Sequence, residues 1–447
     1  MAIATDISQA TGAHARAAES RRWTQLVLGI ICMVMIANLQ YGWTLFVNPI
    51  DQKYHWGTAA IQVAFSVFIA TETWLVPIEG YLVDRFGPRI VVMVGAVLVA
   101  SAWSLNSVAT SLSTLYLAAA VGGIGTGAVY GTCVGNALKW FPGRRGLAAG
   151  ITAAGFGIGA AITIAPISTM IATSGFERAF RFFGLLQGII VFIAALGLLV
   201  APPALIAAAP KKSQSARSFS PTEVLRSPVF YVMYVMFVLV AAGGLVLIAN
   251  MAPMAKDLKV AKVPVDILGI TAVAGTFAIK AQRIFDGIGR PFFGWVSDHI
   301  GRENTMAIAF VIGAVALFLL SQTGTSAVSF VVYSTLYFAV FGEIYSLFPA
   351  TQGDTFGGQY AAANAGMLYT AKGTGALFVS LGTALAAARG WNAVLWAAMC
   401  GNLIAAVLAL FVLKPMRVKH FAAVRAALSG APATTGAAPT MQHAPGN

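Results

Sequence analysis

Charge is scarce in this chain. Only 10% of its 447 residues are Asp, Glu, Lys or Arg, where a soluble domain carries about 25%. Cysteine occurs three times, at Cys32, Cys133 and Cys400, each within an apolar stretch. That excludes a disulfide framework and reads as small buried side chains. The five histidines, His14, His55, His299, His420 and His443, fall in the tails or at helix ends. No His/Cys/acid cluster therefore suggests a metal, and no GK[ST] loop suggests a nucleotide. Neither a metal nor a cofactor is expected, and a membrane enzyme would lack a nucleophile–base pair at depth. Met1 to Glu19 has no short apolar core beside a cleavage site, so no cleaved signal peptide is expected.

What the chain has instead is apolar sequence: 58% hydrophobic residues and a mean hydropathy of +0.79. Runs of about 20 apolar residues recur, each long enough to cross a bilayer as a helix. The short alternating segments of a membrane β-barrel are absent. The expectation is an all-α membrane protein of twelve spans, at about 25–47, 60–83, 90–109, 113–138, 147–172, 181–203, 228–252, 265–296, 304–323, 327–350, 361–387 and 392–414. A polar, basic segment, "PKKSQSARSFSPTEVLRSP", separates two sets of six. The domains expected are a tail (1–24), an N-terminal half (25–203), a linker (204–227), a C-terminal half (228–414) and a disordered tail (415–447), whose Ala, Pro, Thr and Gly bias after His420 disfavours a packed core.

The net charge of +13 is assigned to membrane orientation, with no nucleic-acid partner. With both termini inside, seventeen of the 28 basic residues fall on the cytoplasmic side and seven outside, as the positive-inside rule requires. The expected location is the plasma (inner) membrane, and the expected state is a monomer in the lipid bilayer.

An internal repeat follows. "GYLVDRFGPR" (Gly80, Asp84, Arg85, Gly87, Arg89) ends span 2, and "GWVSDHIGRE" (Gly294, Asp298, Gly301, Arg302) ends span 8. Both read G-x-x-x-D-x-x-G, 214 residues apart, at equivalent places in the two halves. Glycines at those positions allow tight turns and close helix approach. The aspartates can accept from helix N-termini or pair with arginines. Duplicated halves are a known build of secondary transporters. "GYLVDRFGPR" resembles the loop 2–3 signature of the major facilitator superfamily, and "GWVSDHIGRE" its weaker second copy. The resemblance spans about residues 22–415 and implies that fold, with these residues as structural and gating elements.

Charges inside spans are costly and are functional candidates by default. They are Glu72, Glu79, Lys280, Arg283, Asp286, Arg290, Glu343 and Lys372. Lys280, Arg283, Asp286 and Arg290 fall on one helical stripe, which suits an aqueous cavity or a partner helix. Arg283 and Asp286 are expected to pair at i,i+3. Asp286 also stands at i−4 from Arg290. Lys372 is the only charge of span 11 and demands an anion, either Glu343 of span 10 or a substrate. Tyr41, Tyr130, Phe156, Tyr345 and Tyr369 add aromatic surface on spans 1, 4, 5, 10 and 11. Together with the cations they suit a small, flat carboxylate.

The stretches "QYGWTLFVNP", "VYGTCVGNALKWFPGRRGLAAGITAAGFGIG", "GRPFFGWVSDHIGR", "YSLFPATQGD" and "YTAKGTGALF" resemble those of the oxalate:formate antiporters. That resemblance implies that Arg290 and Lys372 clamp a dicarboxylate inside a cage of Tyr41, Tyr130, Phe156, Phe341, Tyr345 and Tyr369. The other span charges lie outside the pattern, and a Glu343–Lys372 pair would leave one net cation, suiting a monocarboxylate. The expected function is exchange of small carboxylates, oxalate for formate, by alternating access. Uncompensated Arg290 and Lys372 would make closure depend on a bound anion. The alternative is a proton-coupled monocarboxylate carrier with Glu72 or Glu343 as proton or counter-ion site. A non-transporting sensor would need a signalling domain that the short tails do not provide.

Overall fold

The computed structural model describes residues 2–206, 214–267 and 269–429. Ten of its helices are each long and apolar enough to cross a membrane. Span 2 is an eleventh, made of two segments that meet at a 43° bend. Span 8 (Ala274–Ile300) is the twelfth: its 27 residues have ample length at about 1.5 Å per residue, and they include the charged Lys280, Arg283, Asp286 and Arg290.

The chain runs as span 1 (Arg21–Tyr41, continuing a helix from Ala2), span 2 (Thr58–Trp74 and Val76–Phe86), span 3 (Pro88–Asn106), span 4 (Leu112–Trp140), span 5 (Arg145–Ser174) and span 6 (Phe176–Leu196). The second half repeats the order: span 7 (Pro228–Asp257), span 8, span 9 (Arg302–Thr323), span 10 (Ala327–Phe341 and Ile344–Phe356), span 11 (Ala361–Ala376 and Phe378–Arg389) and span 12 (from Trp391). Breaks fall where the backbone loses helical support. Pro77, just after the bend at Leu75, removes one helical N–H, and Gly42 ends the helix of span 1 before a further segment, Thr44–Tyr54.

Three expectations are corrected. Span 8 does not begin at residue 265: Pro264–Ile267 and Ile270–Val273 form an antiparallel hairpin, and helix starts at Ala274. Span 6 ends at Leu196, before residue 203. The segment after His420 is helical as far as Ser429, so disorder is excluded there; residues 430–447 lie outside the described residues.

The hairpin lies at one end of the bundle, and the repeated G-x-x-x-D-x-x-G loops lie at the other, called here the loop end. Gly87 and Gly301 sit at φ +84° and +92°, the left-handed side that glycine adopts without strain. Each ends one helix and starts the next in a single residue. Spans 5 and 8 touch backbone to backbone across the two halves, Gly146 against Gly294 and Gly150 against the Arg290 carbonyl. Spans 2 and 11 do the same at Gly80, where a Cβ would lie 2.6 Å from the Ala362 carbonyl oxygen.

Candidate functional site

The loop end is sealed by a pair of related contacts. Asp84, at the end of span 2, accepts from Ala363 N–H at the N-terminus of span 11 (3.0 Å) and pairs with Lys139. Asp298, at the end of span 8, accepts from Gly146 and Leu147 N–H at the N-terminus of span 5 (3.1 and 2.9 Å) and pairs with Arg302 at 2.7 Å. Each aspartate of the repeat thus meets the positive end of a helix in the opposite half. Arg85 and Arg89 make no ion pair among the described residues, so the acid of the first copy carries the contact.

Asp354 is a buried hub that the motif reading missed. It accepts from Arg145 (2.9 Å) of the N-terminal half, Arg302 (2.9 Å) and Gln214 of the linker (2.8 Å). Its one sequence signal is the acid of "ATQGD", which closes an apolar span. The linker crosses this end, with Ser215 and Phe219 N–H donating to the Asp354 and Phe356 carbonyls. Burial raises the Glu223 carboxyl, but donation from the Ser220 N–H and hydroxyl, with Arg217 alongside, outweighs it and holds the group below its ordinary range.

Midway through the bundle, Arg290 and Lys372 lie almost fully buried, 2% and 3% exposed. Arg290 donates to Asp286 Oδ2 at 2.6 Å and to the Ala153 carbonyl of span 5 at 2.9 Å. The expected Arg283–Asp286 pair is therefore corrected to Asp286–Arg290. Arg283 instead reaches across to span 1, its guanidinium 4.4 Å from the Tyr41 ring centre, a cation–π contact that takes it away from Asp286. Lys280 is exposed and makes no ion pair among the described residues.

The Lys372–Glu343 pairing is likewise corrected. Lys372 Nζ stands 3.1 Å from both Glu72 oxygens, 2.9 Å from Tyr369 Oη and 3.4 Å from Gln40 Oε1. The Glu72–Lys372 pair joins span 2 of one half to span 11 of the other. Glu343 is fully buried and Glu79 nearly so, and neither carboxylate has a hydrogen-bond partner among the described residues. Gln40 was not singled out by sequence reasoning; its neighbour Tyr41 in "LQYGW" was.

The aromatic residues form a chain around these pairs. Tyr41 meets Phe156 edge-on (5.2 Å), Phe156 meets Tyr130 (5.6 Å), Tyr130 stacks on Tyr369 (4.8 Å) and Tyr369 faces Tyr345 (6.5 Å). Arg290 lies 4.5 Å from the Tyr345 centroid and Lys372 Nζ 5.1 Å from that of Tyr369. Phe341 continues the chain beyond Tyr345, which it meets edge-on at 6.0 Å; its other side stacks with Tyr337 and fills the space beside Gly244 of span 7, so it backs Tyr345 from behind.

Among the described residues, no hydrogen bond or ion pair joins the halves on the hairpin side of this layer. The site is closed toward the loop end; above it Arg283 meets Tyr41, and Gly157 of span 5 lies close to Gly287 of span 8.

The sequence model described as Major Facilitator Superfamily matches residues 28–286. The chain is 36% identical over 397 residues to the oxalate:formate antiporter of Oxalobacter formigenes, covering 88% of this chain and 92% of that protein. It is 26% identical over 350 residues to monocarboxylate transporter 12-B of Danio rerio, covering 71% and 70%. Among solved structures, the proton:xylose symporter XylE superposes with a TM-score of 0.71 at 11% identity, over 88% of this chain and 96% of that one.

Proposed function

The chain belongs to the major facilitator superfamily, a family of multi-pass membrane transporters, and within that fold we propose that it exchanges small carboxylates, oxalate for formate, by alternating access. The observation that carries this reading is the central layer: two buried cations set under a continuous chain of aromatic rings, between two halves sealed at one end. A carboxylate is flat, accepts in its plane, and suits a guanidinium on one side and an ammonium on the other. Arg290 keeps one buried donor, Nε, without an acceptor, available to a substrate oxygen. The rings exclude water, which strengthens each charge-assisted contact. Tyr41, Tyr130, Phe156, Tyr345 and Tyr369 line the substrate, and Phe341 supports Tyr345.

The loop end carries Arg85, Arg89, Arg144 and Arg145, and this basic bias supports a cytoplasmic loop end with both termini inside the cell. The closed contacts there then define an outward-facing carrier. The relative from Oxalobacter formigenes supports the substrate pair.

The test is counterflow in proteoliposomes containing purified protein, preloaded with unlabelled oxalate, formate, acetate, lactate or sulfate. Labelled oxalate should accumulate transiently against oxalate and formate preloads. No accumulation with any carboxylate preload would refute the reading.

A further inference from the structure

An empty exchanger with bare cations resists closing, because closure would bury them without partners. This site is built differently: each of its two central cations already has a carboxylate. Arg290 is held by Asp286 on its own helix. Lys372 is held by Glu72 from the opposite half, at 3.1 Å to both oxygens. An ammonium has three donors, and those of Lys372 are met by Glu72, Tyr369 and Gln40. A substrate carboxylate reaches Lys372 only by displacing one of them, and Glu72 is the one with the same chemistry as the substrate. Arg283, just above the layer, is held by the Tyr41 ring and pairs with no acid among the described residues.

We propose that Glu72 is a tethered carboxylate that stands in for substrate on Lys372, so that the empty carrier reorients and sustains net carboxylate flux, and that it biases the site toward monocarboxylates over dicarboxylates. The inference rests on the carboxylate-exchange reading and extends it. With Glu72 in place, closure of the empty cavity leaves no bare ammonium, so return without cargo is permitted. A dianion must also share the layer with a displaced Glu72 carboxylate and with Asp286, where a monoanion adds one charge fewer. Removing the Glu72 charge should reverse both properties.

The experiment compares wild type, Glu72→Gln and Glu72→Asp in proteoliposomes loaded with labelled oxalate. The membrane potential is clamped by potassium and valinomycin, and protein-free vesicles serve as the leak control. Efflux is read into anion-free buffer (net flux) and into buffer containing formate (exchange). Wild type should show net efflux within about tenfold of exchange. Glu72→Gln should lower the net-to-exchange ratio by about tenfold or more, and should shift competition by about tenfold toward oxalate over formate, each ratio being read within one variant whatever its absolute rate. Glu72→Asp, which keeps the charge, should hold both ratios within about threefold of the wild-type ratios. Wild-type exchange without net efflux overturns the inference with no variant needed, as does an unchanged ratio in Glu72→Gln. Should Glu72→Gln fail to fold, the wild-type ratio decides. Wild-type vesicles that move no carboxylate in either mode refute the exchange reading itself.

Discussion

Asp354→Asn tests how the loop end stays shut. The carboxylate accepts from Arg145 and Arg302 at 2.9 Å each and from Gln214 at 2.8 Å, and it is 4% exposed. Breaking a buried pair by removing one partner costs about 3–5 kcal/mol. Here the lower end applies, since Arg302 keeps Asp298 at 2.7 Å and Arg145 keeps the Gly353 carbonyl at 3.0 Å. The cost divides by location. Arg302 and Asp354 belong to the same half, so losing that contact lowers stability in every conformation. The Arg145 contact joins the halves and exists only while this end is closed. A hydrogen bond to a charged group contributes about 1.5–3 kcal/mol, so the closed state should lose about ten- to hundredfold in relative population. Spin labels at Arg89→Cys and His299→Cys, in a Cys400→Ser background, report the separation of the halves at this end by pulsed electron resonance. Wild type should give one short distance, and Asp354→Asn should add a longer population. Arg145→Gln should open the same end with a smaller loss of thermal stability. A folded Asp354→Asn protein with the wild-type distance distribution would refute the reasoning.

Arg290→Lys keeps the charge but cannot reproduce a guanidinium that spans Asp286 and the Ala153 carbonyl; transport in proteoliposomes should fall by about tenfold or more while membrane insertion stays normal, and wild-type exchange would refute the assignment. Neutralising Asp286 and Arg290 singly and together should give a coupling energy of about 0.5–3 kcal/mol in thermal unfolding, whereas the same cycle on Arg283 and Asp286 should be additive. Gly123→Ala would drive a Cβ into Thr71 Oγ1 and the Phe68 carbonyl of span 2; overpacking of this kind costs about 1–3 kcal/mol and should lower the melting temperature in detergent.

The fold was legible because the bilayer imposes a length on every apolar run and the duplicated aspartate loop marks equivalent points in both halves. The candidate site was legible because charge in a span is too costly to keep without a purpose. Partner choice was not legible. Asp286 has arginines within helical reach on both sides, and the outcome turns on Arg283 crossing to Tyr41 of the other half, which local spacing cannot register. Lys372 found its acid 300 residues away in Glu72, although Glu343 was nearer in sequence. The hairpin before span 8 was hidden because Ile270–Val273 extends an apolar run into the helix. Its β-branched Val265, Ile267, Ile270, Thr271 and Val273 were the available signal.

The seal itself shows why a carrier of this build can turn over. Its helix-terminus contacts are duplicated, Asp84 to span 11 and Asp298 to span 5, but its ion pair is not. Arg145 crosses to Asp354, whereas the acid of the first repeat pairs with Lys139 of its own half. Two helix-terminus contacts contribute about 0.3–2 kcal/mol each, and the crossing pair, the one at this end among the described residues, adds about 1.5–3 kcal/mol. Together these contacts come to about 2–7 kcal/mol, comparable with the roughly 5.5 kcal/mol of differential affinity that reverses a 1:99 equilibrium. A second crossing ion pair in the place of Asp84–Lys139 would bring the seal near the limit of what one small anion can offset. Confining the Asp84–Lys139 and Asp298–Arg302 pairs each to a single half keeps closure reversible.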